Sequence, residues 1–438
     1  MEKELQLKDL YDGFRDAKTI KAYQKIIKED AKKLGRDINI MEVCGGHTHT
    51  IMKYGLPQLL PSNIKFIHGP GCPVCIMPKE RIDHAYILSL QENVILVTLG
   101  DMIKVPGSRG SLQDVRAKGA DVRFVYSPLD CIKIANENPS KRVIFFAIGF
   151  ETTTPMTAAL LQAVIKQDIK NIAFHINHVT VPEVMRELID SRDEHVDSYN
   201  NRIDAFLGPS HVSVISGSKI YEEFPKDYKR PVVVSGFEPV DVMQAISMII
   251  KQFIENRCEL EIEYKRLVSY DGNIKAQELM NKYFTKCMFK WRGLGNIPKS
   301  GLELKDEYAK YNAKVIYKEV LPLEEIEDHK LCICGDILRG IANPPDCTIF
   351  GNACKPTKPV GSCMVSSEGA CAAYYKYVFY YLQMLLFITF KVYFLYQIPI
   401  LIISTTSTFA TYHTRANWFC WFTGISKNRT IRRICYSS

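Results

Sequence analysis

The sequence predicts an α/β protein: two parallel-sheet (Rossmann-like) α/β domains and a third, loop-rich C-terminal domain. Three observations carry that expectation. Short apolar runs recur between residues 36 and 255, each closed by Gly, Pro or a polar turn and followed by a helical pattern. The runs are continuous rather than alternating, as in strands covered on both faces of a parallel sheet. At 438 residues the chain has room for about three domains of roughly 150 residues. Beyond residue 330, Gly and Pro punctuate a cysteine-bearing stretch that reads as turns.

Taken in order, residues 1–35 are charged throughout and read as one or two helices, not as a secretory signal. Strands are expected at 38–43, 64–67, 94–99, 122–126, 143–148, 172–176 and 232–234. The joint between the α/β domains is placed near residue 135, at NENPSK, giving domains at 36–135 and 136–255. GFET at 149–152 and GFEP at 236–239 both follow apolar strands and hint at an internal duplication. Residues 256–330 are richer in charge and helical periodicity, and the third domain is placed at 256–377.

The net charge of +8 does not describe a nucleic-acid-binding face. Residues 378–438 carry six basic residues and no acid, which leaves +2 for the first 377 residues. Fourteen cysteines without a signal peptide point to a reducing cytoplasm, where thiols bind metal or do redox chemistry. There is no P-loop, no G-x-G-x-x-G after a strand and no C-x3-C-x2-C, so no nucleotide or S-adenosylmethionine site is expected.

Cys334, Cys347, Cys354 and Cys371 follow a C-x12-C-x6-C-x16-C ladder. Thiolates on separated turns can wrap a [4Fe–4S] cubane, one thiolate per iron, which makes the third domain an iron–sulfur domain. Structural zinc prefers short C-x2–4-C knuckles, absent here; on spacing alone zinc and four unrelated buried thiols both stay open. Cys332 and Cys363 fall outside the ladder and read as spectators, with Cys332 a rival to Cys334 as ligand. Cys131, Cys258 and Cys287 have no motif and are expected to pack.

MEVCGGHTHT at 41–50 reads as a strand, a glycine turn and a helix opened by Cys44. At a helix N-terminus the dipole and free N–H groups lower a thiol's pKa. With His47 and His49 beside it, Cys44 suits a soft-metal ligand or a nucleophile, a capped helix with a buried thiol being the plainer alternative. HGPGCPVC at 68–75 sets Cys72 and Cys75 in a C-x-x-C turn, the geometry of a dithiol–disulfide couple and equally of half a zinc site. Successive strands of one sheet bring Cys44, Cys72 and Cys75 to one rim, where three thiolates hold Fe(II) and leave positions open. Glu151 and Thr152, Thr153 and Thr154 follow another strand and serve as caps or as lining of an interdomain cleft. His175, His178 and His211 are assigned no role, and Glu368, three residues before Cys371, orients a loop or moves protons.

CGDILRG, the ladder and MVSSEGACAAYY, with MEVCGGHTHT, HGPGCPVC, IGFETTTP at 148–155 and PSHVSVISG at 209–217, resemble the HypD family of [NiFe]-hydrogenase maturation proteins. The resemblance implies a cytoplasmic assembly factor for the Fe(CN)2CO group of that hydrogenase. It implies Cys44 as principal iron ligand, and Cys72 and Cys75 as redox-active or additional iron ligands. It also implies a [4Fe–4S] cluster on the four ladder cysteines, relaying or storing electrons for the dithiol. The implied partners are a HypC-type small chaperone, a HypE-type cyanide donor and, indirectly, the hydrogenase large subunit. A free-standing iron–sulfur thiol–disulfide oxidoreductase is the competing class, and a zinc-stabilised interaction protein the third.

Family chains end soon after the counterpart of AAYYKY, whereas this chain runs on through an acid-free apolar stretch. Residues 378–403 exceed the about 20 residues that span a bilayer. Lys391 sits near their centre, at a cost of roughly 3 kcal/mol. The tail is therefore read as an out-of-frame or read-through extension rather than a membrane anchor.

Overall fold

The apolar runs pair into two parallel sheets, and not in chain order. A computed structural model of the protein describes residues 12–193, 202–322 and 324–379. The strands of the sheets are β1 (Ile38–Glu42), β2 (Ile64–His68), β3 (Val94–Leu99), β4 (Val122–Val125), β5 (Arg142–Gly149), β6 (Ile172–His178), β7 (Ala205–Pro209), β8 (Val232–Ser235) and β9 (Leu260–Ile262). One sheet has the order β2-β1-β7-β8-β9 and the other β4-β3-β5-β6, every neighbour pair being parallel. Every residue of β1, β6, β7 and β8 is buried, which is why these strands lack polar alternation.

All seven strands expected from the sequence are present; β7 and β9 are additional. AFLGP ends in Gly-Pro and LEI is three residues long, so neither stands out as an apolar run. The joint expected near residue 135 is corrected by the topology. It falls inside the second sheet, in the helix Asp130–Glu137 between β4 and β5. The chain leaves the first sheet after β2, builds the second from β3 to β6, and returns at β7.

Both sheets share one winding, since β2-β1-β7-β8 repeats the pattern of β4-β3-β5-β6. GFET and GFEP do not mark that repeat: the first follows β5, the counterpart of β7, and the second follows β8.

The helices used below are α1 (Ala17–Leu34), α2 (Gly45–Lys53), α3 (Lys79–Ser89), α4 (Thr154–Lys166), α5 (Val181–Asp193), α6 (Ser210–Ser216), α7 (Pro239–Ile254), α8 (Cys334–Leu338) and α9 (Ala370–Tyr374). Asp16 caps α1 by accepting Thr19 N–H at 2.8 Å, and Gly35, at φ +66°, ends it. Its Ile27 and Ala31 join Ile246, Ile249 and Ile250 of α7 in one apolar cluster. Burying each isoleucine there contributes roughly 1.5–3 kcal/mol. Residues 284–304, read as helical, instead form an antiparallel hairpin of β10 (Phe284–Trp291) and β11 (Gly295–Leu304). It lies on the second sheet's end, where Thr180 N–H donates to Ser300 O at 2.9 Å.

A single core cluster runs from Met41 and Phe206 of the first sheet through Phe146 of the second to Trp291, Cys334 and Cys371. The cysteine segment is thus packed on the α/β body. Among the described residues no helix is long and apolar enough to cross a membrane. The tail read as extension or anchor lies outside the described residues from position 380.

Candidate functional site

Open parallel sheets bind ligands beyond the carboxyl ends of their strands, where the strand order reverses. That reversal lies between β1 and β7 in one sheet and between β3 and β5 in the other. Cys44 follows β1 and Ser210 follows β7; Asp101 follows β3 and Glu151 follows β5. The chemistry-bearing residues of both sheets therefore stand at reversal points.

Cys44 caps α2 with an extended backbone (φ −146°, ψ 128°). Its loop is fixed by Glu42, the last residue of β1. One Glu42 oxygen accepts Cys44 N–H at 3.3 Å; the other accepts the Thr48 hydroxyl at 2.5 Å and lies 2.6 Å from His68 Nδ1. Glu42 is fully buried, and burial raises its pKa against the pull of these partners. Gly45 N–H donates to Gly71 O at 2.9 Å, and Gly71 lies so close that a Cβ would overlap the Cys44 backbone. Only glycine lets the CPVC loop approach Cys44 this closely.

One expectation about Cys44 is corrected. The Gly46 and His47 amides do favour its thiolate, but burial and the Glu368 carboxylate outweigh them and push the thiol's pKa up. The neighbouring histidines are held by other segments. His47 Nε2 lies 3.0 Å from Gly236 O and 3.3 Å from Ser235 O, and burial lowers its pKa to about 4. His49 is held by Ser367 O at 3.4 Å and the Tyr377 hydroxyl at 3.2 Å. Both histidines tie α2 to other segments.

Cys72 and Cys75 are buried, and Cys75 N–H donates to Cys72 O at 3.0 Å. The Cys75 thiol is hydrogen-bonded to Cys72 and also to Cys363. Cys363 in turn takes the thiol of Cys334, which also contacts Cys371 and lies 3.3 Å from the sulfur of Cys332. Two donated S–H bonds hold Cys363 below the usual thiol range despite its burial. The residue read as a spectator thus stands between the CPVC turn and the cysteine ladder. Its only signal in the sequence was membership of the same segment, because its neighbours are set by the fold.

The ladder cysteines Cys334, Cys347, Cys354 and Cys371 are all buried, between 5% and 8% exposed. Val360 N–H donates to the Cys354 sulfur at 3.3 Å, and a Cβ on Gly361 would come within 2.6 Å of both Cys332 and Cys334 sulfurs. Soft donors, a glycine pressed on the sulfurs and an amide N–H to one of them fit an iron–sulfur cluster. Among the described residues, no three Cys, His, Asp or Glu side chains converge to hold one metal ion.

Two cavities open at the reversal points. One of about 230 Å³ is lined by Pro73 and Val74 of the CPVC turn, Asp101, Gly149, Thr153 and Glu368. The other, of about 490 Å³, is lined by Glu151, Thr180, Glu183, Ser216, Lys219 and Lys286. Glu151 accepts Val181 N–H at 3.0 Å, so it caps α5 rather than the helix that follows it in sequence. Burial raises its pKa to about 7. The Thr153 and Thr154 hydroxyls return to the carbonyls of Ile148 and Phe150. The Glu368 backbone and Cβ lie against Gly45, and its carboxylate adds to burial in raising the Cys44 thiol's pKa. His175 stacks on Phe146, His178 Nε2 lies 2.9 Å from the Thr157 hydroxyl, and His211 packs on Phe237.

Comparison with known proteins agrees with the motifs. Residues 18–378 match the family described as "HypD: Hydrogenase formation hypA family". The chain is 47% identical over 368 residues to hydrogenase maturation factor HypD2 of Bradyrhizobium diazoefficiens, covering 84% of this chain and 96% of the relative. It is 45% identical over 368 residues to hydrogenase maturation factor HypD of Azotobacter vinelandii, with the same coverage. To hydrogenase maturation factor HypD of Escherichia coli (strain K12) it is 43% identical over 373 residues, 84% of this chain and 97% of the relative. With its cysteines, glycines and strand ends disposed as described, the chain belongs to the HypD family of hydrogenase maturation factors.

Proposed function

We propose that this chain is an assembly factor for the Fe(CN)2CO group of [NiFe] hydrogenase. It carries the iron on Cys44 and keeps Cys72 and Cys75 as an internal redox couple. The observation that carries this reading is the run of sulfur contacts from Cys72 and Cys75 through Cys363 to Cys334. A dithiol that serves external protein disulfides exposes its attacking thiol. Here both thiols are buried and the contacts lead inward, which favours the assembly factor over a free-standing oxidoreductase.

Cys334, Cys347, Cys354 and Cys371 would hold a [4Fe–4S] cluster, which supplies single electrons when bound. The chain's own step is thiol exchange. The Cys363 thiolate attacks the Cys75 sulfur of a Cys72–Cys75 disulfide, a Cys363–Cys75 bond forms, and Cys72 leaves as a thiolate. Electrons and atoms balance within the three cysteines. Gly71, adjoining Cys72, lies on the Cys44 backbone, so the freed thiolate belongs to the loop that embraces the iron-carrying residue. Cys72 is an additional iron ligand once this exchange opens it, and Cys75 becomes one only when two electrons reduce its bond to Cys363. The Cys44 thiol loses its proton as iron binds, the cation offsetting the burial and the Glu368 charge that otherwise keep it protonated.

On this reading the partners are a HypC-type chaperone, a HypE-type cyanide donor and, indirectly, the hydrogenase large subunit, all in the cytoplasm. Iron counting after anaerobic purification tests the two-site arrangement. Cys371→Ala should lose the cluster iron while Cys44→Ala keeps it; equal loss in both variants would sink it.

A further inference from the structure

A cavity of about 340 Å³ is bounded by α3, the β10–β11 hairpin and the segments that carry Lys314 and Pro322. Its wall holds the cations Arg81, Lys290, Lys314 and Lys318 and the acids Glu80, Glu324 and Glu325. Two of the cations are matched. Lys290 pairs with Glu80 at 2.8 Å and with Glu325 at 3.0 Å, and Lys318 pairs with Glu319 at 3.5 Å. His84, on the same wall, has both ring nitrogens engaged: Nε2 lies 2.8 Å from Pro322 O and Nδ1 lies 3.1 Å from His175 Nε2.

Arg81 and Lys314 are left over. Among the described residues no carboxylate, Glu324 included, pairs with either of them. The Arg81 guanidinium instead lies 5.7 Å from the centre of the Phe289 ring. Both residues are half-buried. Burial, and then the Arg81 charge, lower the Lys314 pKa to about 7. A cation removed from water without a counter-ion is costly, and a second cation beside it adds to the cost. An anion held by both removes the two penalties together.

The two side chains also specify the anion. One guanidinium satisfies a carboxylate with two parallel N–H bonds, whereas a phosphate has further oxygens and a second charge for a separate ammonium. The volume is at the lower end of the about 300–1,000 Å³ of small-molecule sites, and Met288, Leu321 and Pro322 give the wall an apolar part. We propose that this cavity binds a small phosphate-bearing molecule, with its phosphate group held between Arg81 and Lys314. Neither residue takes part in the thiol and iron chemistry above, so the two readings stand or fall separately.

Titration calorimetry of the anaerobically purified full chain with inorganic phosphate, against sodium chloride at matched ionic strength, tests the site. The wild type should bind phosphate saturably. Arg81→Gln and Lys314→Met should each weaken that binding by about tenfold or more, the usual consequence of losing a hydrogen bond to a charged group. Their iron content should stay at the wild-type level. No saturable phosphate binding in the wild type would overturn the proposal, as would an unchanged affinity in both variants. Acetate bound as tightly as phosphate would assign the pair to a carboxylate and overturn the phosphate reading. Should Arg81→Gln fail to fold, Lys314→Met, which removes an unpaired charge, decides alone.

Discussion

The thiol of Cys75 is hydrogen-bonded to the thiol of Cys363, joining the CPVC turn after β2 to the C-terminal cysteine segment. The contact is reinforced next door, where the Ser362 hydroxyl donates to Cys75 O at 2.5 Å. A buried dithiol with this neighbour is reached from within the protein.

Cys363→Ala should therefore uncouple the dithiol without removing cluster iron, since Cys363 is outside the ladder. After limited chemical reduction, thiol alkylation read by mass spectrometry should find Cys72 and Cys75 reduced in the wild type and still paired in the variant. Equal reduction in both would remove Cys363 from the route.

Gly71→Ala should destabilise the fold by about 1–3 kcal/mol, the ordinary cost of overpacking a closed site. A Cβ at Gly71 meets the Cys44 backbone, whereas one at Gly100 meets nothing within 4 Å. Denaturant midpoints should fall for Gly71→Ala and stay unchanged for Gly100→Ala.

Glu42→Ala would strip three donors of their acceptor: the buried Thr48 hydroxyl and His68, and the part-buried Cys44 amide. Each unsatisfied buried group costs about 1–3 kcal/mol. The variant should lose stability and Cys44-held iron together; iron binding retained at wild-type level would show that Glu42 does not set the Cys44 loop.

Glu151 makes stability depend on pH. Its folded pKa of about 7 lies above the ordinary 4.5, so the folded state binds the extra proton and stability falls as pH rises through that window. Relative to Glu151→Gln, the wild type should lose roughly 3 kcal/mol between pH 4.5 and 8. Parallel pH–stability curves for the two proteins would contradict this.

Much of this was legible in the chain because the relevant signal was local. Continuous apolar runs announced seven strands, and CGGH and CPVC announced thiols at strand ends. What stayed hidden depends on distant partners. The β1–β7 pairing that interleaves the sheets joins segments more than 160 residues apart, and β7 itself is five residues ending in Gly-Pro. Cys363 looked idle because its meaning comes from Cys75 and Cys334 in space. The helix N-terminus at Cys44 argued for an acidic thiol, but Glu368 arrives from the far end of the chain and, with burial, reverses the balance.

The most direct test of the account is infrared spectroscopy of the anaerobically purified complex with a HypC-type partner, comparing the wild type with Cys44→Ala. Bands in the cyanide and carbonyl stretching region, present in the wild type and absent in Cys44→Ala, are the expected result. A brown, cluster-bearing wild-type protein without such bands would contradict iron carriage on Cys44 and favour the thiol–disulfide oxidoreductase.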